Sequence, residues 1–388
     1  MPQHGMRVLG RAVVVRCLCS LAPATQSPST RSSFASGAAP ARGAPVGAHP
    51  PSLGASSGAA AAAIMRDFSI ETTPKLAARI ENHRALLPPG TTVYVAAIPG
   101  TALQDVAALC KRLVAEGLEP VPHLAARAMR DAQHLKLWLS EMQESGVHHV
   151  LLLAGDTETP AGKYTSSLDI LCSDLLPHYG ITHVDIVAHP EGSLHMADPV
   201  AEVLKKVTFA RLHNISMDIV TQVCFDVKRI SELCRQLRAA GVDTRIRIGV
   251  CGLATPATLL KYAAICGVGP SLNILRTSPS LVLGLTQNQG PAPLLDSLAL
   301  AVSQDPGGHG LVSAHFFSFG SFQQTCSWAT QKRERDGERG ARRRGDIVSP
   351  RKRNLISLSF LRWCGRRTAS RDFLDNQEIF LDHQETFS

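Results

Sequence analysis

Eight short apolar runs, separated by segments whose apolar residues recur at three and four spacing, dominate the middle of this chain. The runs are Asp67–Thr72, Thr92–Ile98, Leu118–Leu124, His148–Gly155, His183–His189, Asp218–Phe225, Arg245–Gly252 and Gly310–Phe319. Between them, Leu103, Val106, Ala107, Cys110, Leu113 and Val114 trace one helical face. Leu135, Leu137, Trp138, Met142 and Val147 trace a second, and Val203, Leu204, Val207 and Phe209 a third. Ile230, Leu233, Leu237 and Ala240 follow. Strand and helix alternating in this way call for parallel strands joined by crossover helices. Eight units in roughly 260 residues match the count and size of an α/β fold of the (β/α)8 TIM barrel type. A doubly wound open sheet is the alternative. It would want a Gly-rich phosphate turn early, and the first two strand ends carry no GxGxxG. The long stretch 267–305 before the last strand has room for extra helices, Leu294–Val302 among them.

The net charge of +8 belongs to the flanks. Residues 1–66 carry +6 with no acidic residue, residues 331–388 carry +5, and residues 67–330 carry −3. A slightly acidic core disfavours nucleic acid as a partner, since a binding core carries its own basic face. Residues 1–65 are rich in Arg, Ser, Ala, Pro and Gly, with Arg7, Arg11 and Arg16 interleaved with Val8, Leu9 and Val13–Val15. This composition is that of an organellar transit peptide, mitochondrial ahead of plastid. The alternative is a start at Met65 and a cytoplasmic protein. Residues 20–63 are expected to be disordered. The domain reading is therefore 1–65 as address, 66–330 as barrel and 331–388 as a basic, disordered tail, too short for a large regulatory domain. The ten cysteines form no CxxC pair, which argues against a zinc ribbon or a disulfide scaffold and for a reducing compartment. No run of 18 apolar residues suggests a membrane span.

Polar residues collect where the apolar runs end, which in such a barrel is where function sits. Glu71 ends the first run, His123 the third and Asp156 the fourth; His189-Pro190-Glu191 ends the fifth. Gln222 lies in the sixth and His315 in the eighth. Each has a plain structural alternative: Glu71 as a helix N-terminal carboxylate before Pro74, His123 as a core histidine, Asp156 as a turn or cap residue. A buried Gln222 amide must find partners or cost about 1–3 kcal/mol, and His315 would only close the barrel floor. No HxH, HExxH or regular carboxylate spacing points to a metal, so none is expected.

Several ordered fragments resemble one family. These are Phe68-Ser69-Ile70-Glu71-Thr72-Thr73-Pro74-Lys75, Pro122-His123-Leu124, Leu152-Leu153-Ala154-Gly155-Asp156, Ala188-His189-Pro190-Glu191-Gly192, Val220-Thr221-Gln222-Val223-Cys224-Phe225-Asp226, Gly249-Val250-Cys251-Gly252-Leu253, and Gly310-Leu311 with His315-Phe316. Together they are similar to methylenetetrahydrofolate reductase, a flavoprotein barrel of one-carbon metabolism, from about Phe68 to Thr330. The resemblance implies reduction of 5,10-methylenetetrahydrofolate to 5-methyltetrahydrofolate with NAD(P)H through FAD, with reduced folate and nicotinamide as small-molecule partners. A homo-oligomer is compatible with it. It implies Glu71 as the general acid, Asp156 between flavin and pterin, and Gln222 on the pterin. His123, Gly155, Tyr164, His189 and Lys206, with Asp156, would lie along the cofactor.

The departures fall mainly on the cofactor side. Ala154 stands where the family has Arg before Gly-Asp, and His189 replaces an aromatic. Ala97 replaces a hydroxyl, no Phe appears near Pro256, and the last strand ends Phe317-Ser318-Phe319-Gly320. Three other readings therefore stand beside the flavoenzyme. They are direct hydride transfer without flavin, a non-catalytic folate-binding barrel, and a barrel enzyme using a Glu/Asp pair on a sugar or acyl substrate.

Overall fold

The computed structural model describes residues 55–96, 98, 100–155, 157–193, 196–265, 271 and 290–343. Eight parallel strands close into a barrel in sequence order. They are β1 (Ser69–Thr72), β2 (Thr92–Val95), β3 (Glu119–Ala125), β4 (His149–Leu153), β5 (His183–Ala188), β6 (Ser216–Thr221), β7 (Ile246–Cys251) and β8 (Val312–Phe317). The ring closes where Ser69 pairs with His315 and Glu71 with Phe317. Each observed strand falls on one of the eight apolar runs. The sixth starts two residues before its run and ends four before the run's end, so Gln222 follows β6, its N–H donating to Ala188 O at 2.8 Å.

Alternation along each strand creates two cores. Ile70, Val93, Val95, Val150, Leu152, Ile186, Ile219, Ile248 and Phe316 belong to the large cluster between sheet and helices. Tyr94, Val121, Leu151 and Val220, with Leu153 and Val187, form a small separate cluster inside the barrel. The principal outer helices of the described barrel include Leu103–Ala115, Ala132–Glu144, Pro199–Leu212, Val227–Ala239 and Ala292–Gln304. Their starts follow local chemistry. Asp131, Asp198 and Asp226 cap three of them by accepting from backbone N–H groups at 2.8–2.9 Å, the interaction for which short polar side chains are favoured there. Val114 and Leu137, placed on the apolar faces by spacing alone, instead face solvent. Helix faces are wider than the strip that the barrel covers.

The packed unit extends past both expected ends of the barrel. Helix Ala55–Arg66 crosses position 65 and packs against β8 and against helices Ala292–Gln304 and Phe322–Arg343. Its alanines favour helix and allow close approach, and Ile64 and Met65 anchor it in the core. Part of the segment expected to be disordered is thus folded. At the other end, helix Phe322–Arg343 runs through position 330 and into the basic stretch assigned to a tail. Lys332 is buried there, 3.0 Å from Asp296 and 2.9 Å from Asp336. A charged run reads as solvated until a carboxylate from another helix, here Asp296, is brought to it. Among the described residues no helix is long and apolar enough to cross a membrane.

Candidate active site

Glu71 is the penultimate residue of β1, at the C-terminal mouth of the barrel. Its carboxylate Oε2 lies 3.5 Å from His123 Nε2 on β3. The side chain is 22% exposed, yet protein surrounds the carboxyl closely enough that burial pushes its pKa up to about 8. Burial also pushes the His123 imidazole down to about 4. At neutral pH the pair is therefore a protonated acid beside a neutral imidazole, the reverse of a salt bridge. His123 Nε2 is buried with no aligned hydrogen-bond partner among the described residues.

His315 lies inside the barrel below this pair. It packs edge-on against Tyr94 and Phe317 with ring centroids 4.6 and 4.8 Å apart, and its Nδ1 is 3.0 Å from Ser69 Oγ. Burial first, then Arg247 and His123, push it down to about 3. It is a neutral core group that links the mouth, through Phe317, to Tyr94 and the Arg247–Asp185 end of the barrel. Phe317 fills the mouth over Gly249, where an added Cβ would sit 2.7 Å from the Phe317 ring and 2.3 Å from Thr221 O.

The remaining predicted residues are dispersed, most of them along the loops after the strands and Tyr164 in the outer core. Gly155 has φ +91°, a left-handed conformation that suits glycine, and an added Cβ would press to 3.2 Å of Ala125 Cβ. Asp156 and Ala97 lie outside the described residues. Gln222 spends its amide oxygen on the Val223 N–H at 2.9 Å, which leaves its NH2 group as the end able to meet a ligand. His189 and the buried Lys206 are neighbours. Burial and Lys206 together push His189 down to about 4, and burial lowers Lys206. Tyr164 is buried in the large hydrophobic cluster, with the Lys163 amine 5.1 Å from its ring centre.

Arg127 was not singled out from sequence, and Glu191, named there only as part of the fifth strand end, was given no partner or role. Arg127, beside Gly155, donates from Nε to Thr165 O at 3.0 Å and from Nη1 to Thr157 O at 3.2 Å. It thereby ties down the loop after β4. Glu191 accepts from the Ser271 hydroxyl and, at 3.2 Å, from the Ser271 N–H. Ser271 Oγ in turn accepts from Phe225 N–H at 3.0 Å. An Arg two residues beyond a strand end was a usable signal; the Glu191–Ser271 contact, 80 residues apart, left none.

The family model for methylenetetrahydrofolate reductase matches residues 69–274, more than half of the chain. The chain belongs to the methylenetetrahydrofolate reductase family. A 5,10-methylenetetrahydrofolate reductase of Pectobacterium carotovorum subsp. carotovorum is 27% identical over 155 residues, which is 39% of this chain and 50% of that protein. The chain thus spans about half the length of the curated relative it matches. A solved structure of an uncharacterized protein from Clostridium thermocellum, which binds two copies of 5-methyl-5,6,7,8-tetrahydrofolic acid, overlays with a TM-score of 0.46 at 12% identity. That overlay covers 70% of this chain and 98% of the other.

The flavin expected of a methylenetetrahydrofolate reductase meets a partly suitable set of groups. The orphaned His123 Nε2 offers a ring contact. Gly155 leaves a cradle that a side chain would fill. The buried Lys206 amine beside His189 suits an anionic group. Ala154 offers nothing in place of the family's Arg, and the neighbouring Arg127 is committed to backbone carbonyls.

Proposed function

We propose that this chain is a methylenetetrahydrofolate-reductase-like oxidoreductase that reduces 5,10-methylenetetrahydrofolate to 5-methyltetrahydrofolate, with NAD(P)H as reductant and FAD as carrier. One observation carries this reading: Glu71 stands at the barrel mouth with its pKa raised to about 8. A group that must protonate the departing nitrogen of the methylene bridge has to hold its proton at working pH. Burial does this for Glu71, and the neutral His123 at 3.5 Å does not take the proton away. Gln222 orients the pterin through its NH2 group, its oxygen being held by Val223. His123, Gly155, Lys206 and His189 hold the flavin, which when bound supplies the hydride relay between nicotinamide and folate. Asp156 tunes the charge between flavin and pterin, and Tyr164 supports the cofactor side from the core. The acid-free, Arg-bearing N-terminal stretch serves as a mitochondrial address, which an import assay with isolated mitochondria tests.

Glu71→Gln tests the assignment. Folate reduction by the full chain should fall by about 10²–10⁴-fold, the usual worth of a general acid. Bleaching of bound flavin by NAD(P)H should be unchanged. Unaltered folate turnover would remove Glu71 from the role.

Ala154 and the committed Arg127 favour a second reading, direct hydride transfer from nicotinamide without flavin. The visible spectrum of the purified chain separates the two. Flavin bands support the first reading. A protein that stays colourless with added FAD yet oxidises NAD(P)H in the presence of folate supports the second.

A further inference from the structure

The opposite end of the barrel holds a cluster that the folate chemistry does not use. His149 and His183 are direct register partners on β4 and β5, so both side chains point to the same face of the sheet. Asp185, two residues beyond His183, shares that face. His149 Nε2 lies 3.0 Å and His183 Nε2 3.2 Å from Asp185 Oδ1. All three atoms are buried, and none has an aligned hydrogen-bond partner among the described residues. His149 is 3% exposed and Asp185 fully buried. The three atoms converge within 4.8 Å of one another.

We propose that this floor cluster is a binding site for a zinc-class divalent cation, with His149 Nε2, His183 Nε2 and Asp185 Oδ1 as ligands. The spacing fits. Bonds of about 2.0–2.2 Å at tetrahedral angles place neighbouring ligand atoms about 3.3–3.6 Å apart, and the two pairs that share Asp185 Oδ1 stand close to that, at 3.0 and 3.2 Å. Close approach without hydrogen-bond alignment is what atoms aimed at a shared centre display. The surrounding groups are arranged as ligand supports. Glu119 Oε1 accepts from His149 Nδ1 at 3.0 Å and Glu119 Oε2 from Thr92 Oγ1 at 3.3 Å, which fixes the tautomer that leaves Nε2 bare. Tyr94 donates its hydroxyl to Asp185 Oδ2, leaving Oδ1 for the ion.

Charge points the same way. Glu119, Asp185 and Asp218 all act on the buried guanidinium of Arg247, whose Nη2 is 3.3 Å from Asp218 Oδ2, and Arg245 adds a second, weaker cation near Asp218. With neutral imidazoles the cluster keeps a net negative charge, which a divalent ion offsets. Asp218 Oδ2, 3.9 Å from His183 Nε2, and water are available for the open position. His183 is 29% exposed and forms the way in. Imidazole with carboxylate selects zinc, cobalt or nickel over calcium or magnesium. At the N-terminal end of the barrel the ion pins strands together and takes no part in the chemistry of the mouth. Without an ion the same negative charge is balanced by protons: burial opposes protonation of His149, but Asp185 and Glu119 outweigh it and lift the group to about 9.

The test is cobalt spectroscopy on the full chain, stripped with chelator. One equivalent of Co2+ should raise the visible d–d bands of a four- or five-coordinate site. Zn2+ should abolish those bands and raise the Tm. His183→Ala, at the partly exposed ligand, should remove the bands. Glu119→Gln should weaken Co2+ binding about 10–100-fold with the fold intact by circular dichroism, as loss of a ligand's carboxylate support does. Failure of the wild-type chain to take up one equivalent overturns the proposal, as do bands that survive His183→Ala. The cluster would then be a proton-balanced ion-pair floor.

Discussion

The two ends of this barrel bury the same residue types and treat them in opposite ways. At the mouth, Glu71 has one imidazole near it, and that imidazole is neutral; burial dominates and the carboxyl keeps its proton to about pH 8. At the floor, burial pulls Asp185 upward too, but His149, His183 and Arg247 more than offset it and hold the carboxyl well below the usual range. A buried acid among partners is a structural ion, and a buried acid short of them is a proton source. The distinction lies in what surrounds each carboxyl, not in its depth.

Removing a floor partner should have the largest effect on stability. Asp185→Ala takes away the group facing Tyr94, His149 and His183. It should cost about 3–5 kcal/mol in urea unfolding, the usual result of stripping one member from a buried charged set. A loss under 1 kcal/mol would erase the contrast between the ends.

The mouth should show the opposite sign. Unfolded, Glu71 releases its proton near 4.5; folded, only near 8. Between these values the native state binds the extra proton, so this group's contribution is full below pH 4.5 and is lost as pH rises to 8. Glu71→Gln should therefore leave stability near pH 4.5 almost unchanged and raise it at pH 8.5 by up to a few kcal/mol. Parallel pH–stability curves for variant and wild type would show that the mouth stores no such cost.

Gly249→Ala probes packing rather than charge. Its Cβ would collide with Thr221 O and the Phe317 ring, and overpacking of this kind costs about 1–3 kcal/mol. The clash should also displace Phe317 and alter folate KM more than Tm. The smallest effect is expected on the exposed face of the outer helices. Arg211 and Asp243 pair at 2.6 Å, but both are exposed, and Arg211→Ala should shift stability by about 0.5 kcal/mol or less. A larger loss there would mean that pairing matters irrespective of burial.

The chain's own pattern was enough for the eight strands, their order and the acid at the end of the first, because strand and helix periodicities are local. The residues in the family's fragments were likewise readable one by one. Their neighbours were not. The helix Ala55–Arg66 read as part of a disordered address segment and Lys332 as part of a basic, disordered tail, since burial of either depends on helices distant in the sequence. His183 and Asp185 lay inside one of the eight runs, but nothing local marked them as a pair. The third member of the floor cluster, His149, joins only through the β4–β5 register.

Periodicity and composition thus determined that this chain is a barrel with an acid at its mouth. Tertiary structure alone decided the state of that acid and the convergence of the floor. A carboxyl's proton affinity is set by the dielectric and the charges within a few ångströms, and closing a ring of parallel strands brings those neighbours together from separate units of the fold.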